Sequence, residues 1–138
     1  MRVGIALAAM GAMWGLPAHA AGPQVEGAIY LERGDLGERL VEPASELRSG
    51  DKVVLLVRWR AAGDRDGFTV TTPVPSALAF QRDSSDTVEV SVDGGRSWAR
   101  PGRLKGARPE QVTHLRWKIG ARQAAQGSGS FAYSAFVR

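Results

Sequence analysis

From Gln24 onward, apolar and polar residues alternate in short runs cut by Gly, Pro, Asp and Ser. A period of two over four to nine residues is the pattern of half-buried strands, and no helical period persists over a useful length. The pattern predicts a first strand at Gln24–Glu32, ended by Arg33-Gly34-Asp35, and a short one at Arg39–Glu42, closed by Pro43. The polar turn Leu47–Asp51 leads into the strongest strand, Lys52–Arg60, with Val53, Leu55, Val57 and Trp59 on one face. Its other face is apolar at Val54 and Leu56 and polar at Arg58 and Arg60, which predicts a strand central at its start and half-exposed at its end. Phe68–Thr72 follows, stopped by Pro73-Val74-Pro75, because proline cannot donate to a central ladder. Ala77–Gln81 reads as a brief edge strand, and Thr87–Val92 sets Val88, Val90 and Val92 opposite Glu89 and Ser91. Val112–Ile119 turns Thr113, Leu115, Trp117 and Ile119 inward and Val112, His114, Arg116 and Lys118 outward. Gly120–Gly129 reads as a loop, and Ser130–Arg138 as a closing strand with Phe131, Tyr133, Ala135 and Val137 on one face. Seven to nine short strands predict an all-β fold, an immunoglobulin-like Greek-key β-sandwich.

The first twenty residues follow another rule. Arg2 is followed by an uncharged, almost wholly apolar run from Val3 to Leu16, then Pro17 and the small-x-small triplet Ala18-His19-Ala20. That is the pattern of a cleavable signal peptide, with cleavage after Ala20. The apolar run is shorter than the roughly 18 to 20 residues a membrane span needs. The expected organisation is therefore a signal peptide, 1–20, whose helix precedes one β-sandwich domain, 21–138, periplasmic or secreted, without a membrane span after cleavage. A domain of that size buries about two-thirds of its unfolded surface and folds without staples. The chain has no Cys, so disulfides, a lipoprotein anchor, thiolate metal sites and thiol nucleophiles are excluded.

Charge is uneven along the chain. Residues 21–95 hold 8 basic and 13 acidic residues, whereas residues 96–138 hold 9 basic residues against Glu110 alone. Arg96, Arg100, Arg103, Lys105 and Arg108 are the candidate contacts to a glycan or polyanion. The preferred reading of the segment is the ordinary one, that Lys and Arg guard exposed strand edges against mispairing, and that sequence halves of a sandwich interleave in space and blunt the contrast. No nucleic-acid partner is expected.

The sharpest motif is Ser91-Val92-Asp93-Gly94-Gly95-Arg96-Ser97-Trp98. It resembles the Asp-box of sialidase propellers, Ser-x-Asp-x-Gly-x-Thr/Ser-Trp. Asp93 is placed to accept hydrogen bonds from the turn's own amides. Gly94 and Gly95 are free to take positive φ, and Trp98 is placed to fold over the turn. Ser91, Asp93, Gly94, Gly95 and Trp98 thus read as a structural hairpin, and the chain is too short for a multi-bladed propeller. His114 is the only His after residue 20 and stands mid-strand with no nucleophile elbow nearby. Asp64-Arg65-Asp66-Gly67 and Asp83-Ser84-Ser85-Asp86 only superficially resemble calcium loops, and turn capping is the ordinary role of Asp there. Trp59 and Trp117 read as core, leaving Tyr30, Tyr133 and Phe136 as candidate surface aromatics. No catalytic residue, cofactor site or metal site is expected, and the chain is not read as an enzyme.

The order of features also resembles a known family. Leu47-Arg48-Ser49-Gly50-Asp51-Lys52-Val53 opens an apolar strand, and Thr71-Thr72-Pro73-Val74-Pro75 follows. Then come Val90–Gly95 with Trp98, Val112–Trp117, and a Gly-Ser-Gly loop before a Phe-containing strand. Over roughly Ala44 to Arg138 this resembles the bacterial surface and secreted repeat domain of unknown function number eleven. Members often carry an Asn-Pro or Asn-x-Leu-Pro turn where this chain has Thr72-Pro73-Val74-Pro75, and often occur in tandem. The resemblance implies an immunoglobulin-like sandwich and no catalytic residues. The expected role is a structural or interaction module whose partner is an envelope or extracellular protein.

Overall fold

The computed structural model describes residues 22–33, 40–44, 46–63 and 66–138. The expected signal segment, residues 1–20, lies outside them, as does the Asp64-Arg65 half of the first calcium-loop candidate. The described chain is all-β, with two antiparallel sheets. The larger contains β1 (Gln24–Arg33), β2 (Leu40–Pro43), β3 (Lys52–Arg60), β5 (Leu78–Asp83) and β8 (Ser128–Val137), in the order β2-β1-β3-β8-β5. The smaller contains β4 (Phe68–Pro73), β6 (Glu89–Ser91) and β7 (His114–Ile119), in the order β4-β7-β6. No helix among the described residues is long and apolar enough to cross a membrane.

The alternation read along the chain explains the core. On β3, Val53, Leu55, Val57 and Trp59 are buried, while Arg58 and Arg60 are exposed. This strand lies between β1 and β8 and pairs with β8 over all nine of its residues, from Lys52↔Phe136 to Arg60↔Ser128. Val70, Leu115, Trp117 and Ile119 of the smaller sheet bury against the same cluster. Two aromatic pairs join the sheets. Trp117 stacks on Phe131 with 4.7 Å between ring centroids, and Trp59 meets Phe68 edge-on at 5.3 Å. Pro73 ends an edge strand, where a missing N–H costs no ladder bond.

Several expectations change. The strand expected over Thr87–Val92 pairs only over Glu89–Ser91, because Thr87 is held in a turn by Ser85 Oγ at 2.7 Å and the hairpin draws Val92 away. Ser91, expected outward, is buried by its hydrogen bonds to that hairpin. Val112, also expected outward, is buried: it follows a 3-10 turn, Pro109–Gln111, so the parity of β7 does not reach it. The loop expected at Gly120–Gly129 holds a helical turn, α1 (Ala121–Ala124). There the Gln123 side chain accepts the Gly120 N–H and Ala124 is buried. The closing strand consequently starts at Ser128. Tyr133, expected as a surface aromatic, is 2% exposed, whereas Phe136 on the opposite face is 38% exposed.

Candidate functional site

The Asp-box residues form one local network. The chain reverses between Val90 and Ala99, which exchange both backbone hydrogen bonds at 2.8 and 3.0 Å. Inside the reversal, Asp93 Oδ1 accepts the N–H groups of Arg96 and Ser97 at 3.1 and 2.9 Å and the Ser91 hydroxyl at 2.7 Å. Its Oδ2 accepts the Ser97 hydroxyl. The Ser97 hydroxyl, helped by the Ser97 amide and the Ser91 hydroxyl, holds the Asp93 carboxyl far below the usual carboxylate range. Ser91 Oγ in turn accepts the Gly95 N–H at 2.8 Å. Gly94 and Gly95 take φ of 78° and 93°, where a side chain would be strained. The Trp98 ring lies over Gly95 and donates its indole N–H to the Gly95 carbonyl at 3.1 Å.

The hairpin is tied to the sheet beside it. Thr113 Oγ1 accepts the Gly94 N–H at 3.0 Å, donates to the Ser91 carbonyl at 3.2 Å, and lies 3.0 Å from His114 Nδ1. The Arg116 guanidinium sits 4.5 Å from the centre of the Trp98 ring while bonding both Glu89 oxygens, at 3.2 and 3.4 Å. Lys118 Nζ also reaches Glu89 Oε1, at 3.4 Å. The Arg116 hydrogen bonds lead the effects that lower the Glu89 carboxyl below its ordinary range. These charges satisfy one another across β6 and β7.

Arg96, Arg100, Arg103, Lys105 and Arg108 all stand exposed along the single connection from β6 to β7. Arg108 lies 4.0 Å from Glu110, and none of the five lines either cleft described next. Arg138, at the other end of the basic segment, is spent on the Leu78 and Glu110 carbonyls.

Two clefts flank β1. The first, of about 440 Å³, is formed by Gln24 and Glu26 of β1, Arg58, Trp59 and Arg60 of β3, and Ser128, Gly129 and Ser130 of β8. Register explains it: Gln24, Arg60 and Ser128 form one cross-strand row, and Glu26, Arg58 and Ser130 the next, all on the outer face of the larger sheet. The second, of about 150 Å³, opens between the sheets. Its walls include Val25, Ile29, Leu55, Val57, Pro73 and Pro75, with Tyr133 among them. Sequence reading missed both clefts, because each is assembled from strands distant along the chain.

Asp83 is the other group with unusual chemistry. Its Oδ1 accepts the Ser85 amide, the turn-capping role its type suggests, while its Oδ2 accepts the Trp117 indole N–H at 3.1 Å. Burial pushes its carboxyl up to about 6, against the pull of those two donors. Burial, and then the neighbouring Asp83 charge, push the Tyr133 hydroxyl well above its ordinary range. Compared with family models, with curated proteins and with solved structures, the chain gives no match.

Proposed function

We propose that the chain is an exported, non-catalytic structural or protein-interaction module of the bacterial envelope, built as an immunoglobulin-like Greek-key sandwich. The observation that carries this reading is the use of its sharpest motif: both oxygens of Asp93 are taken up by the turn's own hydroxyls and amides. A carboxylate so held is a poor general acid or base, since catalysis wants a pKa near the working pH. The signal-like segment 1–20 and the resemblance over Ala44–Arg138 to the surface and secreted repeat domain support the envelope setting. Two measurements test it. The mass of the protein recovered from a producing bacterium's periplasm or medium should correspond to a chain beginning at Ala21. Immobilised protein should retain a defined protein from an envelope extract; retention of none across a range of salt, or an unprocessed cytoplasmic product, overturns the reading.

A second reading, a module for glycans or polyanions, draws on the first cleft as well as on the basic segment. Arg58 and Arg60 stand on one face beside Gln24, Glu26, Ser128 and Ser130, so two cations with amide and hydroxyl donors outnumber the one carboxylate, a mixture suited to an anionic sugar. Heparin retention at low salt, where attraction is least screened, tests it. Loss in an Arg58→Ser/Arg60→Ser variant points to the cleft, and loss in an Arg96→Ser/Arg100→Ser/Arg103→Ser variant points to the β6–β7 connection.

A further inference from the structure

Strand β1 is covered along only part of its outer edge. β2 pairs with it from Tyr30 to Arg33, and the Ala44 N–H reaches the Ile29 carbonyl at 3.1 Å. Backbone groups of a strand alternate in direction, so the bond to Ile29 fixes the pattern. Residues 25, 27 and 29 aim N–H and C=O away from β3, and their side-chain positions face the other sheet. Among the described residues, Val25 and Gly27 have no hydrogen-bond partner for either outward backbone group. Beside this bare edge lies the second cleft, lined by five successive residues, Val25–Ile29, and roofed by Thr72, Pro73 and Pro75 of the smaller sheet and its following turn. At Gly27 a Cβ would meet nothing within 4 Å, so the cleft is open at the middle of the edge.

A second observation points to an occupant. Tyr133 lines the same cleft and is 2% exposed, yet its hydroxyl has no hydrogen-bond partner among the described residues. A buried donor without an acceptor is rare in folded chains and calls for an explanation.

We propose that the β1 edge over Gln24–Ala28 is a strand-addition site. It takes an extended segment of another protein, antiparallel to β1, whose inward residues enter the cleft between the sheets. Main-chain bonds to Val25 and Gly27 supply the affinity and alternate side chains the specificity, as in other strand-addition complexes. The chemistry of the segment follows from the register. The residues opposite Val25 and Gly27 point inward and are apolar. The one at Gly27 is long and flexible, as methionine is, and fills the space that Gly27 leaves open. The residue between them stands opposite Glu26 on the outer face and is basic, since opposite charges favour a cross-strand pair. A second copy of the chain fits worse. Two β1 edges centred on residue 26 oppose Glu26 to Glu26, and centring them on Gly27 runs the partner strand into Ala44 at Ile29.

This site deepens the interaction-module reading and rests on it. The test titrates the isotope-labelled full chain with the peptide Ser-Thr-Met-Lys-Val-Thr-Ser, following backbone amides by NMR. The amides of Val25 and Gly27 should shift and gain protection from exchange. The peptide with Glu in place of Lys should bind about fivefold more weakly, the difference expected between opposite and like cross-strand charges. Glu26→Lys, at an exposed position beside Arg58, should reverse that preference, with the variant's amide spectrum checking that the fold is kept. N-methylation of the peptide at the Met and Val amides should abolish binding. Unmoved Val25 and Gly27 amides at saturating peptide overturn the site, as does a charge preference that ignores Glu26→Lys. Peptide-independent shifts that grow with protein concentration, with a dimer in sedimentation, assign the edge to a second copy and overturn the proposal. Capture of an envelope protein that leaves these two amides unprotected sinks the site and spares the broader reading.

Discussion

Ser91 is worth burying because of what its hydroxyl closes. Its oxygen accepts the Gly95 N–H at 2.8 Å and donates to Asp93 Oδ1 at 2.7 Å, so one atom links the strand end to both halves of the turn. Ser91 is 1% exposed, and removing the oxygen leaves a shielded amide unmatched. Ser91→Ala should therefore cost about 1–3 kcal/mol of unfolding free energy, the penalty of a buried donor left without its acceptor. Urea denaturation checks it, and a loss below about 0.5 kcal/mol, the range of ordinary surface changes, contradicts it. Ser97→Ala also deprives Asp93 of a donor but lies at an exposed position, so its loss should be the smaller of the two. The Glu89 pairs with Arg116 and Lys118 belong with the weaker contributions: Lys118 is 70% exposed, and such surface pairs contribute ~0–1 kcal/mol. The hairpin was readable from sequence because the side-chain bonds within Ser91–Trp98 span four residues or fewer. The fate of Tyr133 was not, because its surroundings come from strands far away in the chain.

Strands β3 and β8 meet at a place where a missing side chain matters. Gly129 is the cross-strand partner of Trp59, and a Cβ there would stand 2.5 Å from the Trp59 ring. Trp59 is 4% exposed and also packs edge-on against Phe68 of the facing sheet, so its ring has little freedom to retreat. Gly129→Ala should cost about 1–3 kcal/mol, the usual penalty of overpacking a core, and should shift the tryptophan emission. Gly102→Ala is the matched control, since a Cβ at residue 102 meets nothing within 4 Å, and it should be close to neutral. Equal stability of the two variants would refute the packing argument. Element by element, the strong alternators β3, β7 and β8 were readable, because one buried face forces a period of two. The weaker stretches were not. β6 shrank to three residues between two side-chain-bonded turns, and α1 formed within an expected loop around the burial of Ala124. Pro73 marked where a strand stops, but the sequence held no signal for which strand lay beside it. Pairing order depends on contacts between distant residues, and so does the half-bare edge of β1.

Across the whole molecule, Asp83 ties the two sheets together: it ends β5 in the larger sheet and accepts the indole N–H of Trp117 from β7 in the smaller. Its carboxyl is raised to about 6 by burial, and the sign of the consequence follows. In the unfolded chain the group ionises near its ordinary value, whereas in the folded chain it keeps its proton to higher pH. Between those values the folded state binds more protons, so stability falls as pH rises. The contribution of protonated Asp83 is fully present below about pH 4 and is lost by the time pH passes about 6. Glu89 and Asp93, both lowered, act in the opposite sense and in more acidic solution, losing their contributions as pH falls through their folded-state values. Among the shifted groups of the described residues, the window from about pH 4.5 to 6.5 therefore isolates Asp83. The rise to about 6, discounted because the side chain is only partly shielded from water, corresponds to about 1–2 kcal/mol. Asp83→Asn keeps an acceptor for Trp117, gives up one of the two bonds, and cannot titrate. The stability of the original chain relative to Asp83→Asn should therefore fall by about 1–2 kcal/mol between pH 4.5 and 6.5. Urea unfolding across that range measures it, with the emission of Trp117 reporting the same titration in the folded state. A difference that stays flat, or that grows with pH, would mean that Asp83 stays ionised in the folded protein. The junction between the sheets would then be an ordinary charge-assisted hydrogen bond and not a proton-holding one.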